Sequence, residues 1–477
     1  MPSPCQQLAD KVHRPFARMR RWAAIAAGLV LVAILLSGDT PWRYTLFGLV
    51  SPPDLAQDLA AARVFASNQN PYEVGIAGAH AELMKVSEDK GYQYFPHPPL
   101  LFLLLLPMAG FTLAQAAAIW GGVSLGLLFL LAALLAKVLS GSAKAGHYVQ
   151  SEGPGDAGHY VRSEGPAKAA HYVDGPVRPS TVLTIFGALF VWPPVQYNLA
   201  KGQWSILVAL LLAMFWHFYV RGDHRSAGAS LGVASAVKLF PALLGLYLLA
   251  RAPRAVLWMV ITLVAVLALP LVWLGPHTIQ MFLAQSQANV AYWETFPAVT
   301  YSIHGVLARL MVGGQWARPL IEAPLIARGL GTFAAILLIA IATWFTRTRC
   351  NDTGCEGTRF ASWVALLVLL NPLAMAHTGV ILALPIVLVA QALASDHRVW
   401  PKVAWTLGVA LVSIPGHTLI FLASNPIEPW QGVAVIALPM WGTLSFFLAA
   451  IAASSPSSPA SLTFPGLAPQ AATVASR

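Results

Sequence analysis

Apolar residues gather into long blocks, and short polar stretches separate them. Runs nearly free of charge lie at 22–36, 113–139, 181–199, 203–220, 226–251, 254–275, 325–346, 359–394, 402–424 and 431–453. Blocks of about 18 or more such residues predict membrane-spanning helices. Two blocks exceed one crossing and carry polar breaks, at Lys238-Leu239-Phe240-Pro241 and at Asn371-Pro372. Proline removes a backbone donor and ends the turn before it. Each broken block therefore predicts two helices that enter from one side, meet and return. The halves of 226–251 hold about 12 residues, or roughly 18 Å, against an apolar core of about 30 Å. Their apex should sit inside one leaflet and line a wet cavity, because bare backbone cannot face lipid. The stretch Pro98–Gly110, short and edged by prolines, predicts a dip into the membrane rather than a crossing.

Charge orients these blocks. The first follows Lys11, Arg14, Arg18, Arg20 and Arg21, and no small-x-small cleavage site comes after it, so 1–22 is expected to be cytoplasmic and 22–36 an uncleaved anchor. About twelve spans with both termini inside then put 20 of the 29 Lys and Arg on the cytoplasmic side. The segments assigned there are 1–22, 137–180, 221–225, 251–254, 346–359, 395–402 and the tail. Two larger loops, 39–97 and 276–324, face outward and should form short amphipathic helices at the surface. The organisation expected is a basic N-terminus (1–22), a transmembrane domain (23–453) and a disordered cytoplasmic tail (454–477). A loop at 140–180 carries a 12-residue repeat, Ala145–Pro154 recurring at 157–166 with a third partial copy from Ala169. Rich in Gly, Pro and Ser and without an apolar face, it reads as an inserted, disordered segment.

Composition narrows the classes. The 477 residues are 57% apolar and only 10% charged, too few charges to coat a soluble enzyme of this length. A net charge of +10 is scattered between apolar blocks, which excludes a nucleic-acid-binding face and leaves membrane lipids as the surroundings. Cys5, Cys350 and Cys355 give no disulfide framework, and the last two follow Arg347 on the expected reducing side. No P-loop, GxSxG, HExxH or dinucleotide fingerprint is present.

With this topology Asp54, His97, Gln203, Lys238 and His377 fall on the outer side. Ionisable groups at membrane depth are costly and point to function. Asp54 follows Pro52-Pro53 and precedes Gln57, which also reads as a helix cap with a capping box; Asp58 lies one turn on. His97 reads equally as an interfacial histidine or a ligand contact, and His377 as a structural or a functional histidine. Lys238 has no acidic residue between Gly228 and Ala250 to pair with, so an anionic ligand is its expected partner. No soluble nucleotide-sugar donor is expected, because Asp54 and Asp58 alone make no convincing site for the divalent metal that a nucleotide diphosphate usually requires.

These residues, in this order, resemble glycosyltransferase family 87, polyprenol-phosphate-dependent mannosyltransferase-like membrane proteins of the GT-C superfamily. The resemblance spans about 20–450. It rests on Asp54 followed by Ala61-Ala62-Arg63 and Asn70-Pro71-Tyr72, and on Phe95-Pro96-His97-Pro98-Pro99-Leu100. The turn Gly202-Gln203, the stretch from Ala227-Gly228 to Lys238-Leu239-Phe240-Pro241 and the break from Asn371-Pro372 to His377 complete it. The chain departs from the family's GGDF context, which is Pro52-Pro53-Asp54-Leu55 here, and in the repeat at 145–176.

The resemblance implies an all-α fold of GT-C type with about twelve transmembrane helices, in the cell membrane, with its active site on the extracytoplasmic side. It implies transfer of a hexose, mannose first, from a polyprenyl-phosphate sugar to a lipid or glycan acceptor, with inversion and without a metal or other cofactor. Asp54 would be the general base and Lys238 with His377 the donor-phosphate ligands. His97, Gln203, Arg63, Tyr72 and Asp58 would contact substrate. Broken helices around a buried cation also suit a secondary transporter or flippase for an anionic solute or lipid-linked sugar. No inverted pair of repeats supports that alternative.

Overall fold

The computed structural model describes residues 52–87, 97–148, 177–294, 300–314, 317–348 and 353–454. The expected anchor at 22–36, the first part of the 39–97 loop, most of the repeat and the tail beyond Ser454 lie outside the described residues. Within them the fold is helical and contains no strands.

Helix α1 runs Pro53–Ala66, α2 Ala77–Met84, α3 Pro99–Leu105 and α4 Leu113–Tyr148. A bent pair follows, α5 Pro179–Val191 and α6 Pro193–Lys201, then α7 Ser205–Tyr219, α8 His224–Val237, α9 Leu244–Arg251 and α10 Pro253–Ala268. Helices α11 His277–Glu294 and α12 Ile303–Met311 occupy the second long loop. The last five are α13 Pro324–Arg347, α14 Thr353–Leu370, α15 Ala383–Ala394, α16 Val399–Val412 and α17 Leu438–Ala453. Proline opens α1, α3, α5, α6, α10 and α13, where its fixed φ suits the first turn and its missing N–H goes unneeded. Asp223 caps α8 by accepting from the Ser226 amide.

Among the described residues, five segments are long and apolar enough to cross a membrane: Leu113–Ser140, Pro253–Leu274, Pro324–Arg347, Ala376–Ala394 and Pro429–Ala453. Counting the bent α5–α6 pair as one span makes six. The protein is thus an all-α, multi-pass membrane protein. The remaining apolar helices are shorter, among them α7, α16 and Pro99–Met108.

Several expectations change. The block 181–199 is not straight: Trp192-Pro193-Pro194 turns the chain by 68° between α5 and α6. The blocks 402–424 and 431–453 are also interrupted, after Val412 and after Ala434. Helix α1 has no exposed polar face of the kind expected of an amphipathic helix. Leu55, Ala56, Asp58, Leu59 and Ala60 to Ala62 are wholly buried, because small residues on all sides let neighbouring helices close over it. Asp54 caps nothing: Pro52 is the N-cap residue of α1 and makes no side-chain bond, which leaves the Asp54 carboxylate for another partner. Cys355 is disulfide-bonded, against the expectation of free thiols, since pairing depends on spatial neighbours that spacing does not reveal.

The core is built by close helix contacts. A methyl added at Gly232 of α8 would lie 2.7 Å from the Met259 carbonyl oxygen of α10, and one at Gly228 would lie 2.2 Å from that of Ala255. These glycines let the two backbones touch, the small-residue device of helix pairs in lipid. Below the core, Glu356 of α14 accepts from the hydroxyls of Tyr219 and Tyr247 (2.9 and 2.7 Å) and from Arg251 Nη2 at 2.8 Å. This knot, buried at Glu356 and Tyr247 and open to the surface at Arg251, ties α7, α9 and α14 together. The helix breaks at Lys238 and at Asn371–Met375 converge elsewhere, on a cavity.

Candidate functional site

Four stretches distant in sequence meet at that cavity, whose volume is about 420 Å³. The first is the opening turn of α1, which brings Asp54. The second is the α6–α7 turn. Gly202 there has φ +70°, and a Cβ on it would lie 2.6 Å from Cβ of Leu55. Only glycine lets this turn adopt a left-handed conformation while pressing against α1. Asn198 fastens the turn from within, donating to the Gln203 carbonyl and accepting from the Ser205 amide, both at 3.0 Å. Gln203 is thereby aimed at α1, and its Nε2 donates to Asp54 Oδ2 at 2.6 Å.

The third stretch is the break after α8. Lys238 leaves helical geometry (φ −141°, ψ 129°) and its ammonium donates to Gln203 Oε1 at 2.8 Å and to Ser205 Oγ at 3.1 Å. A carboxylate, an amide and an ammonium thus form one chain, Asp54–Gln203–Lys238, in which both partners of Lys238 are neutral. A half-buried ammonium with neutral partners keeps its charge available to an anion. The fourth stretch is the 371–378 break, which places His377. Its ring is 5% exposed, stacks on Tyr197 (centroids 6.3 Å apart, planes within 6°) and has an Nδ1 with no hydrogen-bond partner.

His97 lines the same cavity, and its Nδ1 meets Asp58 Oδ1 at 2.6 Å. The other carboxylate oxygen of Asp58 accepts from Trp204 Nε1 at 2.7 Å. Asp58 is fully buried, and this contact fixes the orientation of the His97 ring.

Of the residues singled out in the sequence, Asp54, His97, Gln203, Lys238 and His377 therefore line one cavity, and Asp58, Arg63 and Tyr72 do not. Arg63 binds the carbonyls of Ala109 and Phe111 at 3.1 and 3.0 Å and Glu82 at 3.2 Å, fixing α1 to the turn after α3 and to α2. Tyr72 donates its hydroxyl to the His97 carbonyl and packs on Phe102 and Phe282. These residues support the wall rather than face the space. The cavity also takes in residues the sequence did not suggest: Tyr197 and Lys201 of α6, and Ser286 and Asn289 of α11. Tyr197 and Lys201 sit four apart just before Gly202-Gln203, on one helix face. That spacing was the available signal.

The molecule is thus a helical membrane protein that sets a carboxylate and an ammonium at one cavity. The sequence profile described as glycosyltransferase family 87 matches residues 95–372, more than half of the chain. The chain belongs to that family, and is a membrane glycosyltransferase. The matched segment contains His97, Gln203 and Lys238; Asp54 precedes it and His377 follows it. No curated protein matches the chain.

Proposed function

We propose that this glycosyltransferase moves a hexose, mannose first among candidates, from a polyprenyl-phosphate sugar to a lipid or glycan acceptor. The reaction takes place at the extracytoplasmic face of the cell membrane, within a GT-C-type domain of about twelve crossings. The observation that carries this reading is the Asp54–Gln203–Lys238 chain: a base and a cation held a fixed amide apart across one cavity.

Asp54 accepts the proton of the acceptor hydroxyl. The acceptor oxygen attacks C1 of the sugar from the face opposite the phosphate. The bond from C1 to the phosphate oxygen breaks, its electron pair stays on the phosphate, and the configuration at C1 inverts. Gln203 holds the carboxylate in the orientation that this transfer needs. Lys238 meets the growing negative charge of the leaving phosphate, with His377 beside it, where a fixed cation in a low-dielectric cavity acts most strongly. His97, steadied by Asp58, contacts the substrate through Nε2. The gaps where helices break give a polyprenyl tail a lateral route from the bilayer.

The experiment supplies membranes containing the protein with radiolabelled polyprenyl-phosphate sugars one at a time, and extracts the products. Transfer from one such donor with inverted anomeric configuration is expected. Retention of configuration, or movement of solute in proteoliposomes without any lipid-sugar donor, overturns the reading.

A further inference from the structure

The cavity holds a second lysine beside Lys238. Lys201 ends α6 and lines the cavity, its ammonium 5.6 Å from the centroid of the Tyr197 ring. The same ring stacks with that of His377. Lys201, Tyr197 and His377 therefore form one continuous part of the cavity wall. His377 also lies within electrostatic reach of both Lys201 and Lys238. Neither lysine has a carboxylate partner among the described residues: Lys238 is held by an amide and a hydroxyl, Lys201 by an aromatic face.

A cavity with two ammonium groups and one facing carboxylate carries an unbalanced positive charge. A sugar phosphodiester brings about one negative charge, and the phosphate monoester left after transfer carries close to two. With the diester bound, two lysines, Asp54 and the donor sum to zero. During transfer the acceptor's proton neutralises Asp54 while the broken bond's electron pair adds a charge to the phosphate. The sum stays zero, and the negative charge moves from the carboxylate to the phosphate. One lysine beside Gln203 matches the starting arrangement, and a second becomes important only as the phosphate gains charge. Interactions that strengthen toward the transition state are those that accelerate the reaction.

We infer that Lys201, braced on Tyr197, is the second cation of the polyprenyl-phosphate site, so that the leaving phosphate is held between Lys201 and Lys238. The inference rests on the donor class proposed above. It is also the feature that separates a phosphate seat from a general sugar groove: the wall binds a lipid phosphate monoester more tightly than the corresponding alcohol.

The plain alternative is that Lys201 merely complements the C-terminal end of α6. A binding measurement separates the two. The protein in nanodiscs of zwitterionic lipid is titrated with radiolabelled short-chain polyprenyl phosphate, with unlabelled polyprenol, inorganic phosphate and anionic phospholipid as competitors. Wild type should bind the polyprenyl phosphate and release it poorly to all three competitors. Lys201→Ala should weaken binding roughly tenfold or more, as loss of a charge-assisted contact does. Lys201→Arg should stay within about threefold, and thermal midpoints should barely differ. In turnover, Lys201→Ala should lower kcat more than it raises the donor KM.

If Lys201→Ala binds like wild type while Lys238→Ala does not, Lys201 only caps its helix; this inference falls and the proposed function stands. Displacement by inorganic phosphate or anionic phospholipid at equal concentration makes the seat a general anion site and also removes the inference. Failure of wild type to bind polyprenyl phosphate at all removes both.

Discussion

Replacing Gln203 with alanine tests the coupling of base and cation without touching either. The change removes the donor at 2.6 Å from Asp54 Oδ2 and the acceptor at 2.8 Å from the Lys238 ammonium. Hydrogen bonds to charged groups contribute about 1.5–3 kcal/mol each. Lys238 keeps Ser205 at 3.1 Å, and water entering the cavity replaces part of what Asp54 loses. The net loss should therefore approach one such bond rather than two, about 1.5–3 kcal/mol. At about 1.4 kcal/mol per tenfold, kcat should fall roughly ten- to hundredfold. The donor KM should rise less, because Lys238 remains. The assay is initial-rate transfer of labelled sugar by purified protein in nanodiscs, with varied donor and saturating acceptor. Gln203→Asn, one methylene shorter, should fall between alanine and wild type. A Gln203→Ala protein that elutes as folded and keeps kcat within twofold would show that the bridge does nothing for the reaction.

Three further outcomes concern the scaffold. Gly232→Val should force α8 off α10, at about 1–3 kcal/mol of overpacking, seen as a lower thermal midpoint by fluorescence-detected size exclusion. Glu356→Ala strands the buried Tyr247 hydroxyl and releases Tyr219 and Arg251, and should cost about 1–3 kcal/mol, with the same readout and no selective change in the donor KM. In the loop between α15 and α16, hydrogen bonds from Arg398 hold the Asp396 carboxyl below its usual range. A lowered value means that this stabilisation is complete at neutral pH and is lost only as acid takes the pH down through it. Asp396→Asn should lower the midpoint at pH 7 and leave it nearly unchanged in strong acid.

The large features of this fold are legible in the chain because lipid imposes them. Long apolar blocks, the break at Lys238 and the break at Asn371-Pro372 all appear where backbone and solvent demand them. The bend at Trp192-Pro193 was present in the letters, but apolarity alone runs straight through it. The burial of helix α1 is not legible, because its small residues look like a weakly amphipathic helix and nothing local tells that other helices cover it. The site divides the same way. Asp54, His97, Gln203, Lys238 and His377 stand out as polar groups in apolar surroundings. Tyr197 and Lys201 did not, because a tyrosine and a lysine at a helix end are ordinary. Arg63 and Tyr72 stand out equally well yet face away from the cavity, since residue type shows the need for a partner and not which partner meets it. The Asp58–His97–Trp204 cluster depends on three segments meeting, which no single stretch reveals.

The most direct measurement compares wild type with Asp54→Asn in membranes given radiolabelled polyprenyl-phosphate mannose and endogenous acceptor lipids, with both proteins at equal abundance. Asparagine keeps the shape and the contact with Gln203 but takes up no proton. Wild type should form labelled product and Asp54→Asn should lose at least about a hundredfold in rate, the lower range of what a positioned base supplies. Equal rates from the two proteins would contradict the account at its centre.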